Sequence, residues 1–108
     1  MLDLQFEIDP ITNFLVGLLN TPSPTGYHAE AIGYVETRFA ALGIRGLALR
    51  RTPKGALVIT WAGDQETAPR GLTAHIDTLG LMVKEIKSNG RLKLTMLGGY
   101  MWNAVEFE

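Results

Sequence analysis

The apolar pattern of this chain changes at Gly43, and that change constrains the fold more than any other feature of the sequence. Before Gly43, apolar residues recur every three or four positions, which is typical of amphipathic helices. After it, apolar and polar residues tend to alternate, which is typical of strands. The sequence therefore predicts an α/β fold in which two helices precede the β structure.

Turn and capping residues set the limits of the predicted helices. The first begins with Asp9 as N-cap and Pro10 at the first helical position. The second spans about residues 27–42, and Gly43 suits the left-handed position that follows a helix. His28 lies in the first turn of that helix, where we expect a surface histidine, because no acid or second histidine is spaced to form a ligand set with it.

Two β-hairpins are predicted from turn signals between short strands. Residues 47–51 and 56–61 flank a turn that contains Pro53 and Gly55. Residues 81–87 and 91–97 are joined through Asn89-Gly90, the strongest short hairpin signal. Along the last of these strands, Leu92, Leu94 and Met96 alternate with polar residues, so we expect one buried and one solvated face.

A third strand is predicted over residues 72–77, between the hairpins, and it carries His75 and Asp77. Residues two apart on a strand share a face and lie roughly 6.6 Å apart. A carboxylate at that spacing can approach one imidazole nitrogen and leave the other free to bind a metal. A structural histidine bonded to a nearby acid is the alternative, and the pattern alone leaves it open.

Composition narrows the classes of function. The chain has 108 residues, a net charge of −1 and no cysteine. A domain of this size can bury roughly 65% of its unfolded surface. The charge argues against nucleic acid or an anionic membrane as partner, and any metal must use nitrogen and oxygen ligands. No secretion signal and no apolar run of roughly 20 residues is found, so we expect a cytoplasmic protein.

The remaining residues do not complete a catalytic site. Neither Ser23 nor Ser88 lies in a nucleophile elbow, and the acids are scattered without ligand spacing. A basic patch on the first hairpin is expected to be a solvated strand edge; it comprises Arg45, Arg50, Arg51 and Lys54. No strand pattern follows Leu97, so we expect a truncated chain with a domain boundary near residues 78–80.

Three segments, in order and spacing, resemble the start of a peptidase family. They are Ser23-Pro24-Thr25-Gly26, the run from Ala74 to Val83, and Leu97-Gly98-Gly99. The family is that of the dinuclear-metal aminopeptidases, which includes the tetrahedral and glutamyl aminopeptidases and members labelled cellulase or endoglucanase. The resemblance covers nearly the whole chain but only the first part of such enzymes, and Phe107 stands where the family pattern has glycine.

The resemblance implies a site, a fold and an assembly. His75 would bind one of two zinc or cobalt ions, and Asp77 would support it as the catalytic-site acid, while the other ligands and the general base lie beyond this chain. The fold would be the start of an α/β/α zinc-exopeptidase catalytic domain (residues 1–78), then the first hairpin of an inserted small β-barrel dimerisation domain (residues 79–108). The substrate would be a peptide, and the complete enzyme would form homo-oligomers from dimers to dodecamers. The fragment itself would be inactive, and a non-catalytic, dimerising interaction module is the alternative.

Overall fold

The computed structural model describes residues 5–65 and 67–105. Phe107, which departs from the resemblance, and Glu66, one of the scattered acids, lie outside them. The helices are α1 (Ile8–Leu19) and α2 (Ala29–Ala40), and a short 3-10 helix spans Trp102–Ala104. The strands are β1 (Leu47–Arg51), β2 (Leu57–Trp61), β3 (Gly80–Ile86) and β4 (Leu92–Leu97). No helix in these residues has both the length and the apolar character needed to cross a membrane.

Both helices form as predicted, with different first residues. Helix α1 begins at Ile8 after Glu7, so the prediction of Asp9 as N-cap is wrong. Pro10 is tolerated in the first turn because backbone N–H groups there have no acceptor within the helix. Helix α2 begins at Ala29, and His28 is its N-cap residue rather than part of its first turn. Gly43 has a φ of 62°, which confirms the left-handed conformation predicted after α2.

Both hairpins are confirmed, and each is a separate two-stranded antiparallel sheet. Strand β1 pairs with β2 from Leu47 opposite Trp61 to Arg51 opposite Leu57. Strand β3 pairs with β4, with an irregularity between Val83 and Glu85. The φ of 79° at Gly90 is the positive value that the Asn-Gly turn requires.

The third predicted strand is not formed. Residues 71–77 have no regular secondary structure, and Leu72 is 98% exposed. A strand requires a ladder of hydrogen bonds to a neighbour, and in the described part of the chain none reaches residues 71–77. Only Thr78 pairs, in an isolated parallel bridge with Pro24. The alternation of side chains was therefore not sufficient to place this segment in a sheet.

The core is small and lies between the helices and the first hairpin. Among the described residues, Ala31, Ile32 and Ser23 are buried. The surface area is 9755 Å², whereas a compact protein of this mass exposes about 5,900 Å². The radius of gyration is 19.0 Å, against about 13 Å for a compact domain of this length. The buried fraction is roughly two-fifths, below the 65% that a complete domain reaches. The second hairpin shares this exposure: Ile86 is 72% and Leu92 53% exposed, so the predicted buried face is covered only in part.

Candidate functional site

His75 and Asp77 contact each other, as their spacing predicted. The Nδ1 atom of His75 lies 3.1 Å from Oδ1 of Asp77 and 3.3 Å from the backbone oxygen of the same residue. Both neighbours are hydrogen-bond acceptors at neutral pH, so Nδ1 carries the proton and donates it. The lone pair of the neutral ring is then on Nε2, the atom that is free to bind a ligand. The pair was identified correctly although its segment is not a strand.

The two side chains differ in exposure. The His75 side chain is 86% exposed and that of Asp77 is 44% exposed. Little packing therefore restrains the imidazole, and its contact with Asp77 is the main restraint on its orientation. An open ring nitrogen backed by a carboxylate is the arrangement in which histidine commonly binds a metal ion.

Thr25 completes a chain of three side chains. Its hydroxyl donates to Oδ2 of Asp77 at 2.8 Å, so the two oxygens of the carboxylate have different partners. The Thr25 hydroxyl, and after it the His75 ring, hold the pKa of Asp77 below its ordinary value of 3.8. Both hydrogen bonds favour the ionised form, which is the form that orients the imidazole.

The loop of residues 22–26 brings Thr25 to this position. The amide of Thr78 donates to the Ser23 carbonyl at 2.7 Å, and Pro24 and Thr78 form the parallel bridge. The amide of Tyr27 donates to the Pro24 carbonyl at 2.8 Å and closes the loop. Gly26 has a φ of 90°, a conformation that side chains disfavour. Backbone contacts therefore hold the loop beside Asp77 independently of its side chains.

An apolar cleft of about 650 Å³ lies beside the pair. Its floor includes Phe14 and Ile59, and His28, His75 and Asp77 lie along its wall. His28 is half-buried and its ring packs against Gly55, so the prediction of a simple surface histidine is wrong. The fold thus brings both histidines of the chain to one cleft, with His28 engaged in packing.

The ligand count is incomplete for a metal centre. In residues 5–65 and 67–105, no three residues among His, Asp and Glu are grouped to hold an ion. His75 fits a metal as one nitrogen ligand, because its free Nε2 and its carboxylate partner are the features such a ligand needs. Asp77 fits as the orienting acid, since both of its oxygens already accept hydrogen bonds.

Sequence analysis missed the contribution of Thr25. It is 52 positions from Asp77 along the chain, so no local period relates them. Its segment, Ser23-Pro24-Thr25-Gly26, is one of those that resemble the peptidase family, but no role in the site was predicted for Thr25. Ser23, in the same loop, is 2% exposed and its hydroxyl finds no hydrogen-bond partner among the described residues.

Comparison with known proteins gives a consistent result. Residues 55–108 match the model of the M42 glutamyl aminopeptidases. The chain is 44% identical over 91 residues to YhfE of Bacillus subtilis (strain 168), provisionally named an aminopeptidase, covering 84% of this chain and 25% of that protein. It is 32% identical over 91 residues to the glutamyl aminopeptidase of Lactococcus lactis subsp. cremoris (strain MG1363), covering 80% of this chain and 23% of that protein.

The chain spans about a quarter of the length of these two relatives. The family match includes both His75 and Asp77 and the whole second hairpin. This extent agrees with the resemblance drawn from the sequence motifs, which placed the chain at the beginning of such a protein. The chain belongs to the M42 glutamyl aminopeptidase family.

Proposed function

We propose that this chain supplies one ligand, and the acid that orients it, to the metal centre of an aminopeptidase that releases N-terminal residues from peptides. His75 would be a ligand to one of two divalent ions, zinc or cobalt, and Asp77 the acid that orients it. The observation that carries the proposal is the 3.1 Å contact between Nδ1 of His75 and Oδ1 of Asp77, which leaves Nε2 free. Membership of an aminopeptidase family supports the choice of substrate class.

Each residue has a definable task in this chemistry. Divalent ions in such a centre polarise the scissile carbonyl and lower the pKa of the attacking water. Asp77 keeps the proton on Nδ1 of His75 and so presents the basic nitrogen to an ion. Within the described residues no third ligand is grouped with this pair, so the other ligands and the proton-transferring carboxylate would come from elsewhere. We therefore expect the 108 residues alone to be inactive.

The domain organisation belongs to the same proposal. Residues 1–78 would begin an α/β/α catalytic domain, and residues 79–108 would begin an inserted β-barrel used in homo-oligomer formation. The separation of the two hairpins into different sheets supports a boundary near Thr78. A cytoplasmic location is part of the same proposal, and membership of an aminopeptidase family supports peptides as partners.

The experiment compares histidine variants in the protein expressed from its complete reading frame. His75→Ala should reduce bound zinc and release of N-terminal amino acids by more than the roughly 10- to 100-fold that loss of an outer partner causes. Asp77→Asn should fall within that range. His28→Ala, which removes the other histidine, should retain zinc and activity. Full zinc content and activity in His75→Ala would overturn the proposal. Turnover by the 108 residues alone would contradict the expectation that further ligands are needed for activity.

A second candidate function is that of a non-catalytic interaction module. The second hairpin favours it, because Val83 is 49% and Ile86 72% exposed although both are apolar. Exposed apolar surface of this kind marks association sites. Sedimentation of the chain decides the point. A self-associating species that Ile86→Lys converts to a monomer supports the module, and a monomer at every concentration removes the support for it.

A further inference from the structure

The Asp77 carboxylate is held on both sides by side chains from different parts of the chain. Its Oδ1 accepts from His75 and its Oδ2 accepts from Thr25, at 3.1 Å and 2.8 Å. A carboxylate with only one of these partners can rotate about its terminal bond, which has a broad preference. With both partners, the plane of the group is fixed, and with it the direction in which Oδ1 faces the imidazole.

This restraint is needed because other restraints on the pair are weak. Residues 71–77 join no sheet, so no ladder fixes the directions of their side chains. The His75 ring is 86% exposed and little packing limits its rotation. The Thr25 hydroxyl, in contrast, comes from a loop whose backbone bonds to Thr78, next to Asp77. The same backbone bond therefore holds Thr25 and Asp77 beside each other.

We propose that Thr25 is a positioning residue for His75. Its hydroxyl fixes the rotation of the Asp77 carboxylate, and the carboxylate in turn fixes the tautomer and orientation of the imidazole. Thr25 touches neither substrate nor metal in this role and acts through Asp77. The inference rests on the proposed function only where it concerns metal binding, because the orientation of the ring can be measured without any metal.

The test uses three variants of the protein expressed from its complete reading frame. Thr25→Val keeps the shape and branching of the side chain and removes the donor. Thr25→Ser keeps the donor and removes a methyl group. Thr60→Val makes the same chemical change at an exposed position of β2, away from the site. Amide spectra outside the loop of residues 22–26 establish that each variant is folded.

The first measurement is the nitrogen–proton spectrum of the His75 ring in the absence of metal. The wild-type chain should show the proton on Nδ1, and Thr25→Val should show a mixture of both tautomers. Thr25→Ser and Thr60→Val should give the wild-type spectrum. A wild-type ring spectrum in Thr25→Val overturns the inference, since the carboxylate would then hold the imidazole without help.

The second measurement is a titration with zinc chloride alone. Loss of a direct partner of a ligand lowers metal affinity by about 10- to 100-fold, so loss of Thr25, one contact further out, should lower it by about 3- to 10-fold. Thr25→Ser should restore the affinity. If His75→Ala abolishes zinc binding while Thr25→Val leaves it unchanged, the positioning role fails and the metal-ligand role stands. If His75→Ala does not alter zinc binding but Thr25→Val still mixes the tautomers, the metal-ligand role fails and the positioning role stands.

Discussion

Two glycines within helices should respond in opposite directions to the same substitution. Gly17 lies in α1 and Gly33 in α2. Alanine in a helix interior is favoured over glycine by about 0.5–1 kcal/mol, because glycine loses more backbone entropy on folding. This gain applies to both positions. A difference in the free energy of unfolding between the two variants therefore reports the contacts that the added methyl group makes.

At Gly17 the methyl group has no room. It would overlap the hydroxyl of Tyr34 and lie 2.7 Å from its Cζ atom. Tyr34 would have to leave its hydrogen bond to the Phe14 carbonyl, at 3.1 Å, worth about 0.5–1.5 kcal/mol. It would also lose its ring contact with Phe14, at 5.7 Å between centroids, worth about 0.5–1.5 kcal/mol. After the propensity gain, Gly17→Ala should lower the free energy of unfolding by about 0.5–2 kcal/mol.

At Gly33 the one atom of the described residues that the methyl group meets is Nη2 of Arg51, at 3.6 Å. This is an ordinary contact with the end of a flexible side chain. Gly33→Ala should therefore raise the free energy of unfolding by about 0.5–1 kcal/mol. Urea unfolding followed by circular dichroism measures both variants. In a Tyr34→Ala background, Gly17→Ala should become stabilising, since the obstructing ring is gone. Equal effects of the two substitutions in the wild-type background would refute the packing of α1 on α2 described above.

Three further predictions concern the site and its surroundings. Lowering the pH should weaken the Thr25–Asp77 hydrogen bond only below pH 3.8. The pKa of Asp77 is lower in the folded state than in the unfolded state, so its stabilising contribution is complete above the unfolded pKa and is lost as the pH falls through the folded pKa. The carboxyl resonance of Asp77 measures this titration. Ser23→Ala should leave stability unchanged or raise it by about 1 kcal/mol, measured by urea unfolding, since the buried hydroxyl has no partner among the described residues and its burial is a cost. Arg51→Ala should lower stability by less than about 1 kcal/mol, and less in high salt, because its 2.9 Å bond to Glu36 is partly exposed.

The sequence was sufficient to predict features that depend on residues close together along the chain. Asn89-Gly90 requires a tight turn with positive φ, and both the turn and its flanking strands are present. The His75–Asp77 contact was predictable for the same reason, because two residues on one extended segment can meet whether or not a sheet contains them. Local geometry is sufficient to predict the turn and the approach of these two side chains.

The sequence was not sufficient where partners are distant. Residues 72–77 alternate as a strand does, yet a strand exists only with a neighbour, and alternation does not specify one. Glu7 rather than Asp9 caps α1, since several residues near a helix start can fill that position within the usual scatter of boundaries. Thr25 could not be assigned to the site because its relation to Asp77 is entirely tertiary.

The segment from Asp77 to Gly80 links the candidate site to the start of the second hairpin. The Thr78 amide donates to the Ser23 carbonyl of the upstream loop, and two residues later the Gly80 carbonyl accepts a hydrogen bond from the Tyr100 hydroxyl at 2.7 Å. The loop of residues 22–26 therefore holds one end of this short segment, and Tyr100, which follows the second hairpin, holds the other. In a sheet, a ladder of many hydrogen bonds would fix the position of this segment. Here a few contacts on either side of the Asp77 carboxylate fix it. The orientation of the His75 ring thus depends on these tertiary contacts more than on the conformation of its own segment.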